Sequence, residues 1–172
     1  MKVYLRTFGC RANQYDSEQV RVLVESAGST IVDDPADADA AVFNSCAVTA
    51  AAEVDLRKGI RGVARKNASL RSVVMGCAAA LDRGTLRSLP TVEAVVAGGD
   101  APAVAAALGL APVLGVARAA AQTGTRALLR IQDGCDERCT FCATTLARGA
   151  NRSRSAADLV AEASRLAERH PE

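Results

Sequence analysis

Three short apolar runs, each followed within two residues by a cysteine, constrain the fold of this chain more than any other feature. The runs occupy residues 3–8, 40–45 and 72–76, and the cysteines are Cys10, Cys46 and Cys77. Such β-branched or apolar runs ending in small or polar residues are typical of buried parallel strands. Ligands of open α/β sheets bind at the carboxyl edge of the strands. We therefore expect the three thiols to converge there, although three unrelated buried thiols are the alternative.

Helical patterns alternate with these runs. Apolar positions recur on one face of residues 13–27, and Thr49 is placed to cap a helix that extends to about Lys66. Shorter patterns predict a brief strand at 31–32, a strand at 94–96, and helices at 85–89 and 103–108. A repeated strand–helix order predicts a mainly parallel sheet between helical layers. Residues 1–108 are therefore predicted to form an α/β, three-layer, parallel-sheet domain.

A change in composition follows this predicted domain. Residues 109–125 are rich in Gly, Ala and Pro and predict a linker. A strand at 126–131 and a helix at 156–169 then predict the start of a second α/β unit over residues 126–172. One strand and one helix cannot close a sheet, so we expect this second unit to be truncated. No signal peptide or transmembrane run is evident, which predicts a cytoplasmic protein without a membrane partner.

A second group of cysteines has the spacing C-x-x-x-C-x-x-C and comprises Cys135, Cys139 and Cys142. Three thiolates on one loop can hold three irons of a four-iron cluster and leave the fourth iron open to a small molecule. A zinc site normally has four protein ligands, and the single histidine, His170, lies far along the chain. An iron–sulfur site is therefore favoured, with zinc and a redox disulfide as the alternatives.

Arginine is concentrated in the last third of the chain, where residues 118–169 contain nine arginines, no lysine and six acidic residues. Arg148, Arg152 and Arg154 follow the cysteine loop closely. A guanidinium binds phosphate or carboxylate through two parallel hydrogen bonds, whereas a solvated basic surface is the simpler interpretation. The sequence leaves both open.

Several motifs together resemble the methylthiotransferases, a branch of the radical S-adenosylmethionine (SAM) enzymes. They are the segments TFGCRANQYDSE at 7–18, NSCAVT at 44–49, GC at 76–77, IQDGC at 131–135, and ARG with RSR at 147–149 and 152–154. The residues after Cys10 and Cys46 are most similar to the branch that modifies N6-threonylcarbamoyladenosine in tRNA. The isopentenyladenosine branch is the alternative.

The resemblance implies two 4Fe–4S clusters and SAM as cofactors. Cys135, Cys139 and Cys142 would hold the cluster that binds SAM, which is cleaved to methionine and a 5′-deoxyadenosyl radical, and Phe141 would lie near the SAM adenine. Cys10, Cys46 and Cys77 would hold an auxiliary cluster that supplies the sulfur. The implied reaction adds a methylthio group to carbon 2 of the modified adenine beside the anticodon.

The resemblance also implies a tRNA substrate, a flavodoxin- or ferredoxin-like electron donor and a monomer. Residues 143–146 depart from the family pattern, which is usually more apolar here and ends in Pro-Tyr. The rest of a radical SAM barrel and an RNA-binding TRAM domain are expected beyond Glu172. We therefore expect this chain to be an amino-terminal fragment that is inactive alone, and a non-catalytic iron–sulfur module is the alternative.

Overall fold

The computed structural model describes residues 1–112, 122–124, 126–137 and 139–170. Five parallel strands form one sheet in the order β2-β1-β3-β4-β5. The strands are β1 (Lys2–Phe8), β2 (Thr30–Val32), β3 (Ala40–Ser45), β4 (Arg71–Gly76) and β5 (Val92–Ala97). The parallel α/β architecture predicted for this part of the chain is confirmed.

Helices cover both faces of the sheet. They are α1 (Arg11–Ser26), α2 (Ala50–Lys66), the five-residue α3 (Cys77–Leu81) and α4 (Ala101–Ala107). Polar side chains cap two of them, because the Thr49 hydroxyl accepts from the amide of Ala52 and the Asp100 carboxylate from that of Ala103. The predicted helix at 85–89 is only one 3-10 turn, Leu86–Ser88.

Two hydrophobic cores fill the three layers. On one face, Phe43 and Val74 of the sheet pack with Leu56 and Ile60 of α2. On the other face, Val42 and Met75 belong to a cluster that includes side chains of α1 and α4. Alternate residues of β3 therefore point into opposite cores, which explains why the whole strand is buried.

Strand β1 differs from this pattern. Val3 is fully buried, but Tyr4, Arg6 and Phe8 line an open groove of about 990 Å³ beside α2. The expectation that all three cysteine-bearing strands are buried is therefore wrong for β1, in which every residue except Val3 is half-buried or exposed.

Beyond the sheet the chain forms smaller elements. They are β6 (Gln132–Asp133), α5 (Thr144–Arg148), β7 (Arg152–Ser153) and α6 (Ala156–Arg169), with β6 and β7 antiparallel. The helix predicted at 156–169 is confirmed and is capped by Ser155. The strand predicted at 126–131 is wrong, because its described residues are irregular and strand pairing begins only at Gln132. Of the predicted linker, residues 113–121 and 125 lie outside the described part of the chain.

Within the described ranges, none of the helices combines the length and the apolar character that spanning a bilayer would require.

Candidate metal centre

The register of the sheet places the first three cysteines side by side. Phe8 pairs with Ser45, and Ser45 pairs with Gly76, so β1, β3 and β4 end at the same level. Cys10 lies just before α1, Cys46 directly follows β3, and Cys77 is the first residue of α3. The predicted placement of each cysteine at the carboxyl end of a strand is therefore confirmed, and the sheet order makes the three strands neighbours.

Two asparagines hold Cys10 against the neighbouring strand. The Oδ1 atom of Asn13 accepts from the Cys10 amide and from its Sγ, each at 3.3 Å. The side chain of Asn13 donates to Asn44 Oδ1 at 2.9 Å, and Asn44 donates to the Asn13 carbonyl at 2.8 Å. Both asparagines are fully buried, so this reciprocal pair fixes the start of α1 relative to the end of β3.

Cys46 is held by backbone contacts. Its amide donates to the Phe8 carbonyl at 2.7 Å, and its Sγ accepts from the Val48 amide at 3.3 Å. Cys46 is 7% exposed, whereas Cys10 is exposed. One side of this cysteine group therefore faces solvent.

Gly76 lets the third strand end at the same place. It has φ of +95°, and a Cβ atom there would lie 2.3 Å from Asn44 Oδ1 and 2.6 Å from the Ser45 carbonyl oxygen. Only glycine fits this backbone conformation and this close approach. The turn directs the chain into α3, where Cys77 begins the helix.

The Cys77 thiol is subject to opposing influences. Burial raises its pKa, the Arg148 guanidinium acts in the opposite direction through charge and hydrogen bonding, and the thiols of Cys46 and Cys10 raise it further. The net direction is upward. Burial is the largest of these influences.

The second cysteine group lies on an irregular loop. The Cys135 amide donates to the Gly149 carbonyl at 3.1 Å, and the Cys142 amide to the Cys139 carbonyl at 3.2 Å. Thr145 Oγ1 donates to the carbonyl of Cys135 at 3.0 Å. Cys139 is exposed, and Cys135 and Cys142 are half-buried.

Thr144 influences the last thiol of this loop. Its amide donates to Cys142 Sγ at 3.4 Å, and hydrogen bonding from Thr144 lowers the pKa of the Cys142 thiol. The neighbouring Phe141, predicted to contact a bound adenine, is 91% exposed. Its ring is accessible to a ligand, and its predicted role stays a prediction.

A network of charges joins the loop to the sheet domain. Asp16 of α1 is fully buried and forms ion pairs with Arg130 and with Arg148, the latter at 2.8 Å. Arg148 also reaches Asp133 at 3.0 Å. Burial disfavours the charged form of Arg148, but Asp16, Cys77 and Asp133 together outweigh it and raise the pKa of the guanidinium. Similarly, burial opposes ionisation of Asp133, whose pKa is nevertheless lowered by Arg130 and Arg148.

The three arginines after the cysteine loop have different surroundings. Arg148 is 6% exposed, and Arg154 is 15% exposed and paired with the buried Glu162. Glu162 also accepts from the Tyr15 hydroxyl at 3.2 Å. Only Arg152, 63% exposed, fits the solvated interpretation. Sequence reasoning did not identify Asp16 or Glu162, because the contacts Asp16–Arg148 and Glu162–Tyr15 each join residues more than one hundred positions apart.

The donor chemistry of both groups suits an iron–sulfur cluster. All six cysteines are free thiols, and thiolates are the usual ligands of such clusters. In the described ranges, no three cysteine, histidine or acidic side chains are grouped closely enough to hold a single metal ion. A four-iron cluster spreads its thiolate ligands more widely than one ion does. The fit of the first group therefore rests on three thiols at one sheet edge, and that of the second group on three thiols on one loop.

Comparisons with known proteins identify a family and several relatives. A family model described as "Uncharacterized protein family UPF0004" matches residues 2–98. The chain is 32% identical over 161 residues to the threonylcarbamoyladenosine tRNA methylthiotransferase MtaB of Thermotoga maritima, which covers 86% of the chain and 36% of the relative. It is 33% identical over 170 residues to the ribosomal protein uS12 methylthiotransferase RimO of Chlorobium phaeobacteroides, covering 95% and 38%.

A third relative has another printed substrate. The chain is 30% identical over 185 residues to the tRNA-2-methylthio-N(6)-dimethylallyladenosine synthase of Thermodesulfovibrio yellowstonii, covering 96% of the chain and 42% of the relative. The chain thus spans about two fifths of the length of the curated relatives that it matches.

Proposed function

The chain belongs to the UPF0004 family of methylthiotransferases, and on that premise we propose that it contributes both metal sites of a radical SAM tRNA methylthiotransferase. The observation that supports this most strongly is the alignment of Cys10, Cys46 and Cys77 at three adjacent strand ends. The spacing of Cys135, Cys139 and Cys142 on one loop adds the second three-thiol set.

In this proposal the domain limits are those predicted from the sequence. Residues 1–108 hold the auxiliary 4Fe–4S cluster through Cys10, Cys46 and Cys77, and residues 109–125 connect to the start of a radical SAM domain at 126–172. Cys135, Cys139 and Cys142 hold the second 4Fe–4S cluster, and Phe141 lies beside the adenine of SAM. When bound, the two clusters supply the reductive cleavage of SAM and the sulfur for transfer.

The protein residues have the task of placing these groups. Asn13 and Asn44 fix Cys10 relative to Cys46, and Gly76 allows β4 to end beside them. The Asp16 and Arg148 ion pair holds the cysteine loop against the sheet domain. Holding reactive groups in a fixed relative position is a large part of what a protein contributes to cofactor chemistry.

We propose N6-threonylcarbamoyladenosine in tRNA as the substrate, in which one methylthio group replaces the hydrogen on carbon 2, with a flavodoxin- or ferredoxin-like electron donor. The residues after Cys10 and Cys46 support this branch, as does the MtaB relative. The isopentenyladenosine branch is the second candidate, favoured by the similar identity to the dimethylallyladenosine synthase.

Metal analysis tests the two sites. Anaerobic reconstitution of the chain should give about eight irons and eight sulfides, as two four-iron clusters require. Triple alanine variants of Cys10, Cys46 and Cys77, or of Cys135, Cys139 and Cys142, should each retain about half, and each variant is the control for the other. Four irons in the wild type, unchanged by the first triple variant, would contradict the auxiliary site.

Product analysis tests the activity. The reduced protein is incubated with SAM, and 5′-deoxyadenosine is measured; intact clusters without this product would favour a non-catalytic iron–sulfur module. Because the chain spans only about two fifths of the length of its relatives, the parallel reactions use a protein extended to that full length. They contain tRNA with N6-threonylcarbamoyladenosine, tRNA with isopentenyladenosine, or ribosomal protein uS12. A methylthio product detected by mass spectrometry on the first tRNA alone supports the proposed substrate, whereas product only on another contradicts it.

A further inference from the structure

Arg11 lies at a position where its charge is unfavourable. It directly follows Cys10 and is the first residue of α1, which has no acidic side chain in its first turn. The amino-terminal end of a helix carries a partial positive charge, so a guanidinium there is repelled. Arg11 is exposed and forms no ion pair within the part of the chain that the structure describes. Among the described residues, no side chain therefore neutralises this cation.

A second arginine lines the same cavity as Arg11. Arg11 and Arg126 both line a space of about 500 Å³ between α1 and the stretch of chain that precedes the cysteine loop. Glu18 also lines it, but its carboxylate already accepts from Arg21 at 2.6 Å and from the Thr123 hydroxyl at 2.8 Å. Arg126 is exposed and, within the described ranges, has no ion pair either. Two cations therefore share a cavity whose carboxylate is bound to other partners.

Hydrogen bonds fix the side of this cavity that carries Arg126. The side chain of Gln122 donates to the Leu128 carbonyl and accepts from the Leu128 amide, each at 2.7 Å. Gln122 is 9% exposed, so this reciprocal pair is largely shielded from water. The contact between Thr123 and Glu18 joins the same stretch to α1. The cavity is therefore formed before a ligand enters it, which reduces the entropic cost of binding.

Arg11 also lines a second cavity, of about 360 Å³, that reaches the cysteine loop. Its lining includes Tyr15, Leu128 and Gly134, and Gly134 directly precedes Cys135. This cavity is therefore lined by direct neighbours of one cysteine from each group. In the proposed function, carbon 2 of the substrate base needs access to both groups, and a cavity of this size and partly apolar lining suits a planar base.

The two cavities suit different parts of one ligand. The cavity with Tyr15 and Leu128 offers apolar contacts to a ring, and the cavity with Arg126 offers guanidinium groups, with Arg11 lining both. A guanidinium binds the oxygens of a carboxylate or a phosphate through paired hydrogen bonds. N6-threonylcarbamoyladenosine carries a carboxylate on the substituent of its ring, whereas the phosphates of an RNA lie beyond the sugar. An anion held next to the bound base is therefore that carboxylate.

We propose that Arg11 and Arg126 bind the carboxylate of the threonylcarbamoyl group while the adenine lies in the cavity lined by Tyr15. This rests on the proposed function, since it names the part of the proposed substrate that these residues recognise. An isopentenyl substituent carries no anion and would leave both arginines without a partner. Arg11 and Arg126 are thus specificity-determining residues that favour the first candidate substrate over the second.

The experiment compares two RNAs that differ in a single charge. Both are the same anticodon stem–loop, one with N6-threonylcarbamoyladenosine and one with its methyl ester, so their phosphates are identical. The protein is extended to the length of its relatives and reconstituted anaerobically, and fluorescence anisotropy gives the dissociation constants at one salt concentration. The variants are Arg11→Gln and Arg126→Gln. The control is Arg61→Gln, which removes an exposed arginine of α2 on the opposite face of the sheet from α1.

We expect the wild type to bind the carboxylate RNA about tenfold more tightly than the ester, or better, because hydrogen bonds between charged groups are strong. Arg11→Gln and Arg126→Gln should each lose most of this preference through weaker binding of the carboxylate RNA alone, and Arg61→Gln should keep it. Equal weakening for both RNAs, as loss of a phosphate contact causes, overturns the proposal. An unchanged preference overturns it as well.

Iron content is measured in every variant before binding. If Arg11→Gln does not retain iron, Arg126→Gln carries the test, because Arg126 adjoins no cysteine in the sequence, and an unchanged preference there overturns the proposal. Failure of the proposed function is visible in the wild type, since absent clusters, or a methylthio product only on another substrate, overturn both claims. A wild type that modifies N6-threonylcarbamoyladenosine, combined with an unchanged preference in the variants, overturns only the role of the two arginines.

Discussion

The two cysteine groups are positioned in different ways. Cys10, Cys46 and Cys77 follow adjacent strands of one sheet, and two of them are almost fully buried. Cys135, Cys139 and Cys142 lie on a loop that is held by local hydrogen bonds and not by a sheet. Cys139 on this loop is exposed. The first group is therefore held by the core of the domain, whereas the second depends on short-range contacts, on the Arg148 network and, in the proposed function, on its metal.

The substitution Gly76→Ala is expected to cause the largest loss of stability. Alanine there requires a strained left-handed backbone and contacts the Ser45 carbonyl oxygen at 2.6 Å, so we expect a loss of about 3–4 kcal/mol of unfolding free energy. Urea unfolding followed by circular dichroism measures it. Gly84→Ala is the matched control, because Gly84 has φ of +93° but no atom within 4 Å of its Cβ position; it should cost about 1 kcal/mol.

The substitution Gly134→Ala is the corresponding test for the loop that carries the second cysteine group. Gly134 also has positive φ, and its Cβ would lie 2.1 Å from the Ala150 carbonyl oxygen. We expect Gly134→Ala to reduce iron binding by the loop while leaving the urea midpoint of the sheet domain nearly unchanged. Equal losses of stability in Gly76→Ala and Gly134→Ala would contradict the difference between the two regions.

Asp16→Ala tests how strongly the regions are joined. It leaves the buried guanidinium of Arg148 without its main partner, and breaking such a buried pair costs about 3 kcal/mol. Urea unfolding measures the loss. Glu53→Ala is the control, because Glu53 is 54% exposed and pairs with Arg57 on the surface of α2; it should cost less than about 0.5 kcal/mol. Similar costs for the two variants would show that the ion pairs do not join the regions.

Thiol accessibility distinguishes the two groups directly. In the metal-free protein, Cys139 is exposed while Cys46 and Cys77 are 7% exposed. Alkylation of the buried pair requires opening of the fold, so we expect Cys139 to react about tenfold faster or more. Mass spectrometry of peptides after timed alkylation measures the rates. In urea the rates should become similar, and similar rates without urea would contradict the burial of Cys46 and Cys77.

Substitution of Asp82 is expected to have the smallest effect on stability. This residue lies in a turn of the sheet domain that contains no cysteine. Its carboxylate accepts hydrogen bonds from the amides of Gly84, Thr85 and Leu86. Burial opposes ionisation, but the hydrogen bonds from Thr85, Leu86 and Gly84 outweigh it and lower the pKa of Asp82. Asp82→Asn should therefore cost about 1 kcal/mol at pH 7.

The pH dependence of this cost has a definite sign. Because the folded pKa of Asp82 lies below its unfolded value of about 3.9, its contribution is present above that value and is lost as pH falls through the folded pKa. The difference between the wild type and Asp82→Asn should shrink below about pH 4. Asp55→Asn at an exposed position of α2 is the control, and a pH-independent difference for Asp82→Asn would contradict the prediction.

The parallel sheet could be predicted because its signals are local. The runs that became β3 and β4 contain enough apolar residues to be buried on both faces, and Thr49 caps α2 as expected. The strand predicted at 126–131 was wrong because an apolar run needs a partner strand. Among the described residues, pairing in this part of the chain begins at Gln132, and Ile131 is 60% exposed.

Helices α3 and α5 could not be predicted, because each has only five residues and no complete apolar period. They matter nonetheless, since α3 begins with Cys77 and α5 ends with Arg148. The sequence also left open whether Arg148 binds a ligand or faces solvent. The structure shows that it is buried between Asp16 and Asp133.

The sequence by itself determined the strand order along the chain, the two cysteine groups and the resemblance to the methylthiotransferases, since each depends on residues close together in the chain. Tertiary structure alone decided that the ends of β1, β3 and β4 lie side by side, and that a carboxylate at residue 16 pairs with a guanidinium at residue 148. The physical reason is that these contacts form only when the sheet and its helical layers pack, which no local pattern encodes.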